Sequence, residues 1–183
     1  LNIDKTSYMI FGNKKYQNLS LLIENSPILR QFETNFLGVI LSANLKWSKH
    51  IDIFLNKISK SIGIVSKVRH LIPPNLTRML YLSMVEPYLN YCNLIWASAN
   101  TSVLLNKVLI VQKRFVRLMT FSDYLAHSKP LFFRLYILPI YELYKYNLAV
   151  YMFRIINNLI PPLTHHQFIF NSSIHHHNTR SQS

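Results

Sequence analysis

The spacing of apolar residues changes near residue 48. Upstream, three short runs rich in β-branched and aromatic residues predict strands: 5–11, 19–24 and 35–41. A turn at Gly12-Asn13 and a loop around Pro27 separate them. Downstream, apolar residues recur with the 3.6-residue period of an amphipathic helix, at Ile51, Phe54, Leu55, Ile58, Ile62 and Val65. Strands followed by helices predict an α+β chain, with a small antiparallel β unit at its N-terminal end.

Prolines divide the helical part into several segments. The first helix is expected to have Ser48 as its N-cap and to end before Pro73-Pro74. A second helix is bent or stopped by Pro87. The expected later helices cover about 75–84, 102–120, a short stretch between Pro130 and Pro139, and 140–159. The sequence therefore predicts a β unit over 1–47, a helical part over 48–163 and a flexible polar tail over 164–183.

Composition excludes several classes of protein. Half of the residues are hydrophobic, which is sufficient for a packed core and excludes disorder throughout. The single Cys92 lies in an apolar run and is interpreted as a buried small hydrophobe in a reducing compartment. The aromatic stretch 87–106 lacks charges but contains four asparagines, which is wrong for a bilayer core. A soluble intracellular protein without a membrane association is expected.

The excess of positive charge indicates a polyanionic partner. Twenty Lys and Arg oppose seven Asp and Glu, a net charge of +13, and residues 44–120 alone carry a net +9. Nucleic acid is the commonest partner of such a chain. Two helix faces would contact phosphates without reading sequence. The alternative is an ordinary solvated face, although neither face has acidic partners one turn away. The face residues are Lys57, Lys60 and Lys67, and Lys113, Arg114 and Arg117.

Other reactive residues form no site in the sequence. The seven carboxylates are scattered singly, so no pair is spaced to hold two metal ions, and no metal or cofactor is expected on this chain. Histidines at 165–166 and 175–177 lie in the polar tail without cysteine, which favours a solvated tail over a zinc site. Tyr141, Tyr144 and Tyr151 share a helical spacing, which favours core packing over a base-stacking surface.

Several motifs, in order, resemble reverse transcriptases of non-LTR (LINE-type, jockey-like) retrotransposons. The segment 2–11, Asn-Ile-Asp-Lys-Thr-Ser-Tyr-Met-Ile-Phe, resembles their motif D, and 36–40, Phe-Leu-Gly-Val-Ile, resembles motif E. Asn44-Leu45-Lys46-Trp47 is similar to the segment that leads into their thumb. The likeness continues through 57–60, 88–92, 109–117 and 178–181, so it extends over nearly the whole chain.

The resemblance implies roles for individual residues. Lys5 stands at the motif D lysine, which is proposed to donate a proton to the leaving pyrophosphate; a strand-edge lysine is the alternative. Phe36, Leu37 and Gly38 match the primer grip, where Gly38 permits close backbone approach or simply makes a turn. The chain would then comprise the end of the palm and a basic helical thumb against an RNA–DNA duplex of RNA template and DNA primer.

The catalytic signature of that family is absent. The aromatic-Ala-Asp-Asp turn that holds two Mg²⁺ ions, and the fingers, are expected upstream of Leu1 in the same polyprotein, so this chain alone would not polymerise DNA. The resemblance implies that the protein acts in the cytoplasm and the nucleus. Three alternatives stay open: a stand-alone nucleic-acid-binding protein derived from a retroelement, a decayed fragment without function, and a basic bundle on an anionic membrane.

Overall fold

The computed structural model describes residues 2–12, 19–97 and 102–161. Within them the chain is α+β, as predicted, with short strands first and helices after. A 3₁₀ turn, Ile3–Lys5, precedes the strands β1 Ser7–Tyr8, β2 Leu22–Ile23, β3 Ser26–Pro27, β4 Leu29–Arg30, β5 Glu33–Phe36 and β6 Val39–Ser42. The helices are α1 Ser48–Val68, α2 Pro74–Met84, α3 Glu86–Asn90, α4 Asn93–Trp96, α5 Ser102–Met119, α6 Ser128–Arg134 and α7 Ile140–Ile156.

The strands form three two-stranded ladders. Two are antiparallel hairpins, β2–β3 and β5–β6. Antiparallel pairing was expected, but the single strand predicted over 35–41 is wrong, because the chain turns back at Leu37 and Gly38, where both residues have positive φ. The third pairs β1 with β4 in parallel, with Ser7 opposite Leu29, so the antiparallel prediction is wrong there. Apolar alternation marks a strand but not the direction of its partner, which depends on how the chain between them turns. Here the β2–β3 hairpin lies between the two partners, and Pro27 is in a strand rather than a loop.

The β5–β6 hairpin connects the strands to the helices. Its register places Phe36 opposite Val39, which leaves Leu37 and Gly38 as a two-residue turn. Both have positive φ, 48° and 81°, as in the type I′ turn that matches the twist of a hairpin. The Val39 side chain is buried, and the backbone N–H of Ile40 donates to His50 Nδ1 of α1 at 3.4 Å. The hairpin is therefore docked on the first helix.

Helix α1 buries the predicted apolar stripe completely. All six stripe residues are buried in the core. Its start differs from the prediction by one position: Trp47 is at the N-cap and Ser48 is the first helical residue. Trp47 packs against the core, and its carbonyl accepts the N–H of Ile51 at 3.0 Å. Packing of the indole sets the helix start here, because it outweighs the capping preference of a serine hydroxyl.

Helices α1, α2, α6 and α7 pack against α5, whereas α3 packs mainly on α2 and α7, and α4 mainly on α7. Helix α2 ends at Met84, and Pro87 lies in the first turn of α3, which confirms the predicted break. Helix α4 was not predicted; it follows Cys92, whose φ is +51° and whose side chain is half-buried rather than fully buried. The core centres on large buried side chains from several helices, including Trp96, Tyr81, Phe115 and Ile140. The polar tail and its histidines lie outside the described residues.

A buried glutamine joins three helices. Gln112 of α5 is 1% exposed; its Nε2 donates to Tyr81 Oη at 2.6 Å and to the Leu138 carbonyl at 2.8 Å. Its Oε1 accepts the backbone N–H of Ile140 at 2.9 Å, and Ile140 is the first residue of α7. That N–H has no partner inside its own helix. Gln112 therefore caps α7 from the neighbouring helix.

Candidate nucleic-acid interface

A groove lies between the β5–β6 hairpin and helices α1 and α3. Its volume is about 390 Å³. We call it the hairpin groove, and it is lined by Asn35, Gly38, Ile40, His50, Ile53, Phe54, Lys57, Pro87, Tyr88 and Tyr91. Gly38 and Lys57 are two of the residues that the sequence singled out, and they are 19 positions apart in the chain. The tertiary structure brings them to one site.

Tyr91 holds the turn of the hairpin. Its hydroxyl donates to the Leu37 carbonyl, across 54 positions of sequence. A Cβ on Gly38 would lie 3.5 Å from the Tyr91 ring, which is ordinary contact, so positive φ rather than space favours glycine there. Leu37 has the same left-handed backbone without that freedom, and such strain persists only where surrounding contacts hold it. Tyr91 is therefore a structural support of the predicted grip.

Lys57 forms the opposite rim of the hairpin groove. Its Nζ lies 5.6 Å from the centre of the Tyr88 ring, a cation–π arrangement, and its side chain is exposed. A cation held over a ring keeps N–H donors for a phosphate oxygen. Lys60 and Lys67, farther along α1, are also exposed. All three predicted lysines of this helix therefore face solvent, as a phosphate-contacting face requires.

His50 closes the bottom of the hairpin groove as a neutral side chain. Burial and then the positive charge of Lys57 lower its pKa below the ordinary value of 6.5. Its ring packs near Phe54 and Trp96, with centroids 5.6 and 6.2 Å away, and its Nδ1 accepts the Ile40 N–H. Protonation would remove this acceptor and place a charge in an apolar contact. Neutral His50 therefore stabilises the docking of the hairpin on α1, together with the buried Val39.

We expect the free energy of unfolding to fall as pH decreases below 6.5. The unfolded chain protonates His50 at its ordinary pKa of 6.5, whereas the folded chain resists protonation until the lowered pKa is reached. The stabilisation that neutral His50 contributes is complete above pH 6.5. Below pH 6.5 the free energy of unfolding decreases by at most about 1.4 kcal/mol per pH unit, until the lowered pKa of the folded state is reached. Urea titrations across this range should show the loss, and His50→Gln, which keeps an acceptor, should show less of it. An equal pH dependence in both proteins would contradict the assignment.

The basic face predicted on α5 divides into two parts. Arg114 is exposed, whereas Lys113 and Arg117 are half-buried. The Arg117 Nε donates to the Ala126 carbonyl at 2.9 Å, and its guanidinium lies 5.9 Å from the centre of the Tyr124 ring. Arg117 therefore holds the loop after α5, and Arg114 is the more accessible phosphate candidate of this helix.

Acidic residues pair with cations outside the predicted faces. Glu33 pairs with Lys49, Asp52 with Lys107 at 3.7 Å, and Glu142 with Lys145 at 3.2 Å. Among the described residues, no ion pair involves Lys57, Lys60, Lys67, Lys113, Arg114 or Arg117. The Asp52–Lys107 pair shows which flank of α5 lies nearest α1. Arg114 follows Lys107 by about two helical turns, so it lies on the same flank.

The other predicted site residues are more peripheral. Phe36 is 61% exposed and Leu37 74% exposed beside the hairpin groove. Lys5 ends the 3₁₀ turn rather than lying in a strand, and its side chain is exposed. The sequence alone assigned no individual roles to His50, Tyr88 or Tyr91. Tyr88 lies in α3, and Tyr91 follows directly after the end of that helix.

The tyrosines of α7 pack as the sequence favours. Tyr141 and Tyr144 are half-buried against the core, and the Tyr141 hydroxyl donates to exposed Asn106 Oδ1 at 3.0 Å. Tyr151 is also half-buried. Tyr141 and Tyr144 therefore pack against the core, and the Tyr141 hydroxyl reaches its rim.

Comparison with known proteins identifies no relative: no family model, curated protein or solved structure matches the chain. The described part of the chain has no helix long and apolar enough to cross a membrane. The same part contains no group of three His, Cys, Asp or Glu placed to hold a metal ion.

Proposed function

We propose that this chain is the end of the palm and the thumb of a non-LTR retrotransposon reverse transcriptase, an RNA-directed DNA polymerase. Its task is to hold the duplex of RNA template and DNA primer, in the cytoplasm and nucleus. The observation that carries the proposal is the hairpin groove, where the grip-like turn Leu37-Gly38 meets Lys57 of the basic helix. The motif resemblance and the net charge of +13 support it independently.

Each part of the proposed interface has a physical task. The turn offers backbone to the primer end, and Lys57, Lys60 and Lys67 neutralise phosphates along the duplex. Arg114 extends that contact from the neighbouring helix. In a polymerase whose palm supplies the metal ions, Lys5 is proposed to protonate or stabilise the leaving pyrophosphate, since phosphoryl transfer develops negative charge there.

Titration with an RNA–DNA hybrid at several salt concentrations tests the proposal. Each phosphate contact adds about 0.9 to the slope of log affinity against log salt, so four or five contacts give a slope of roughly −4. Affinity should be similar for hybrids of unrelated sequence, because phosphate contacts carry no sequence information. A slope near zero would exclude a phosphate-binding surface.

The coding sequence upstream of Leu1 separates a polymerase from a stand-alone binding protein. An open frame that encodes an aromatic-Ala-Asp-Asp turn a few tens of residues upstream is the expected result. An initiating Met directly before Leu1 would leave duplex binding without polymerisation. The binding titration keeps its meaning in both cases, because it uses the chain as it stands.

A further inference from the structure

A second group of aromatic and basic side chains lies where α1 and α5 end. The guanidinium of Arg69 is 4.8 Å from the centre of the Phe121 ring, and the His70 ring meets the same ring edge-on at 5.4 Å. Arg117 lies over Tyr124 in the loop that follows. Arg69 Nη1 also donates to the Leu118 carbonyl at 3.4 Å, which ties the end of α1 to the last turn of α5. We call these five residues, Arg69, His70, Arg117, Phe121 and Tyr124, the Arg–aromatic cluster.

The rings of the Arg–aromatic cluster are exposed. Phe121 is 50% exposed, Tyr124 80%, and the adjacent Leu125 86%. Exposed apolar side chains are common singly, but a group of neighbours indicates a binding surface. The two arginines have a structural reason to be here, because they satisfy the carbonyl of Leu118 at the end of α5 and that of Ala126 in the loop that follows. These hydrogen bonds explain the arginines but not the exposure of the Phe121 and Tyr124 rings to solvent.

The charge around the cluster defines its ligand. Residues 113–134 contain five Lys and Arg against Asp123 alone. Exposed aromatic rings surrounded by basic side chains can bind a polyanion that itself carries aromatic rings free to stack. Single-stranded nucleic acid has both properties, whereas a duplex stacks its bases internally and offers mainly phosphates.

The Arg–aromatic cluster is separate from the hairpin groove. Arg69, at the cap of α1, follows Lys57 by twelve positions, about 18 Å at 1.5 Å per residue. We propose that the cluster binds unpaired nucleic acid, by stacking bases on Phe121 and Tyr124. The inference rests on the proposed nucleic-acid function and deepens it: one helix carries duplex contacts along its length and a single-strand platform at its end.

Fluorescence anisotropy with two probes tests this division. The full chain is titrated with a fluorescein-labelled 15-mer of oligouridine and with a blunt RNA–DNA hybrid of the same length. The double variant Phe121→Leu, Tyr124→Ser removes the rings and keeps every charge. It should bind the single strand about tenfold more weakly and the hybrid within about twofold of the unchanged chain. Phe153→Ala on α7, where the ring is 60% exposed, is the control and should alter neither.

Three results would contradict the proposal that the Arg–aromatic cluster binds unpaired nucleic acid. Unchanged single-strand affinity in the double variant is the first. An equal loss for both probes is the second, since it indicates a general effect on the surface. The third is that the unchanged chain self-associates and the double variant does not, while both bind the single strand equally well. In that case the cluster would be a contact surface for a second copy of the chain. If the original chain binds oligouridine but not the hybrid, the duplex proposal fails and the platform stands.

Photo-crosslinking keeps the inference testable if the double variant does not fold. An oligouridine carrying 4-thiouridine is irradiated with the unchanged chain, and the attached peptides are mapped. Adducts within the loop from Phe121 to Leu125 are expected. Adducts confined to α1 or to the hairpin would contradict the platform.

Discussion

Replacing Lys57, Lys60 and Lys67 together by Gln should weaken binding of an RNA–DNA hybrid by about a hundredfold at roughly 0.1 M salt. The three side chains are exposed on α1 and take part in no ion pair among the described residues, so removing their charge costs the fold little. Three lost phosphate contacts should also flatten the salt slope by about 2 to 3 units. Anisotropy titrations of both proteins at four or five salt concentrations measure both quantities.

A matched control removes the same charge elsewhere. Lys46, Lys145 and Arg154 are exposed and lie off the predicted faces, so their replacement by Gln reduces the net charge equally. This variant should lose only a few-fold in affinity, through the weaker overall field. If the two triple variants lost affinity and slope alike, the α1 face would have no special role, and the positive charge would act only as a diffuse attraction.

Gln112→Leu should lower the free energy of unfolding by about 3 kcal/mol or more. The substitution keeps the volume but leaves the Ile140 N–H, the Leu138 carbonyl and the Tyr81 hydroxyl without their partner. Burial raises the pKa of Tyr81 well above its ordinary value, which reflects how dry this position is. Each buried group left unpaired costs about 1 to 3 kcal/mol. Urea unfolding followed by circular dichroism measures the loss.

A smaller change at the same network is the control. Tyr81→Phe removes one partner of Gln112 and leaves the cap of α7 intact, so the expected loss is about 1 kcal/mol. A Gln112→Leu protein within 1 kcal/mol of the unchanged chain would mean that water or a shifted α7 satisfies these groups. That result would remove the structural account of Gln112.

This role changes the interpretation of the segment Gln112-Lys113-Arg114. The resemblance placed all three residues in one motif, and the helical wheel placed the two cations on a phosphate-contacting face. In the structure the exposure increases along the segment: Gln112 is buried, Lys113 half-buried and Arg114 exposed. A packing requirement and a binding requirement can therefore share three consecutive positions, since each points from the helix in a different direction.

Local pattern was sufficient for most helices. The stripe of α1, the break near Pro87 and the extents of α5 and α7 follow from periodicity and proline geometry, which act within one segment. The short α4 was missed because four residues contain barely one helical turn. The start of α1 was misplaced by one residue, since Trp47 anchors it through a contact that sequence spacing does not contain.

The candidate site could be predicted only in pieces. The family resemblance singled out Gly38, and helical spacing singled out Lys57 and the other α1 lysines. Nothing local indicated that Tyr91 would hold the turn of Leu37. Arg117 illustrates the reverse case. Its position on the wheel suggested a free phosphate contact, whereas the loop after α5 folds back so that Ala126 and Tyr124 occupy the guanidinium.

The sequence by itself determined the α+β order, the amphipathic stripe and the concentration of positive charge, because each depends on residues that are close along the chain. The tertiary structure decided the parallel pairing of β1 with β4, the hairpin groove, the neutral state of His50 and the Arg–aromatic cluster. Each of these joins residues far apart in sequence. Bringing such residues together closes long loops, which costs conformational entropy. Only the burial of apolar surface across the whole core offsets that cost.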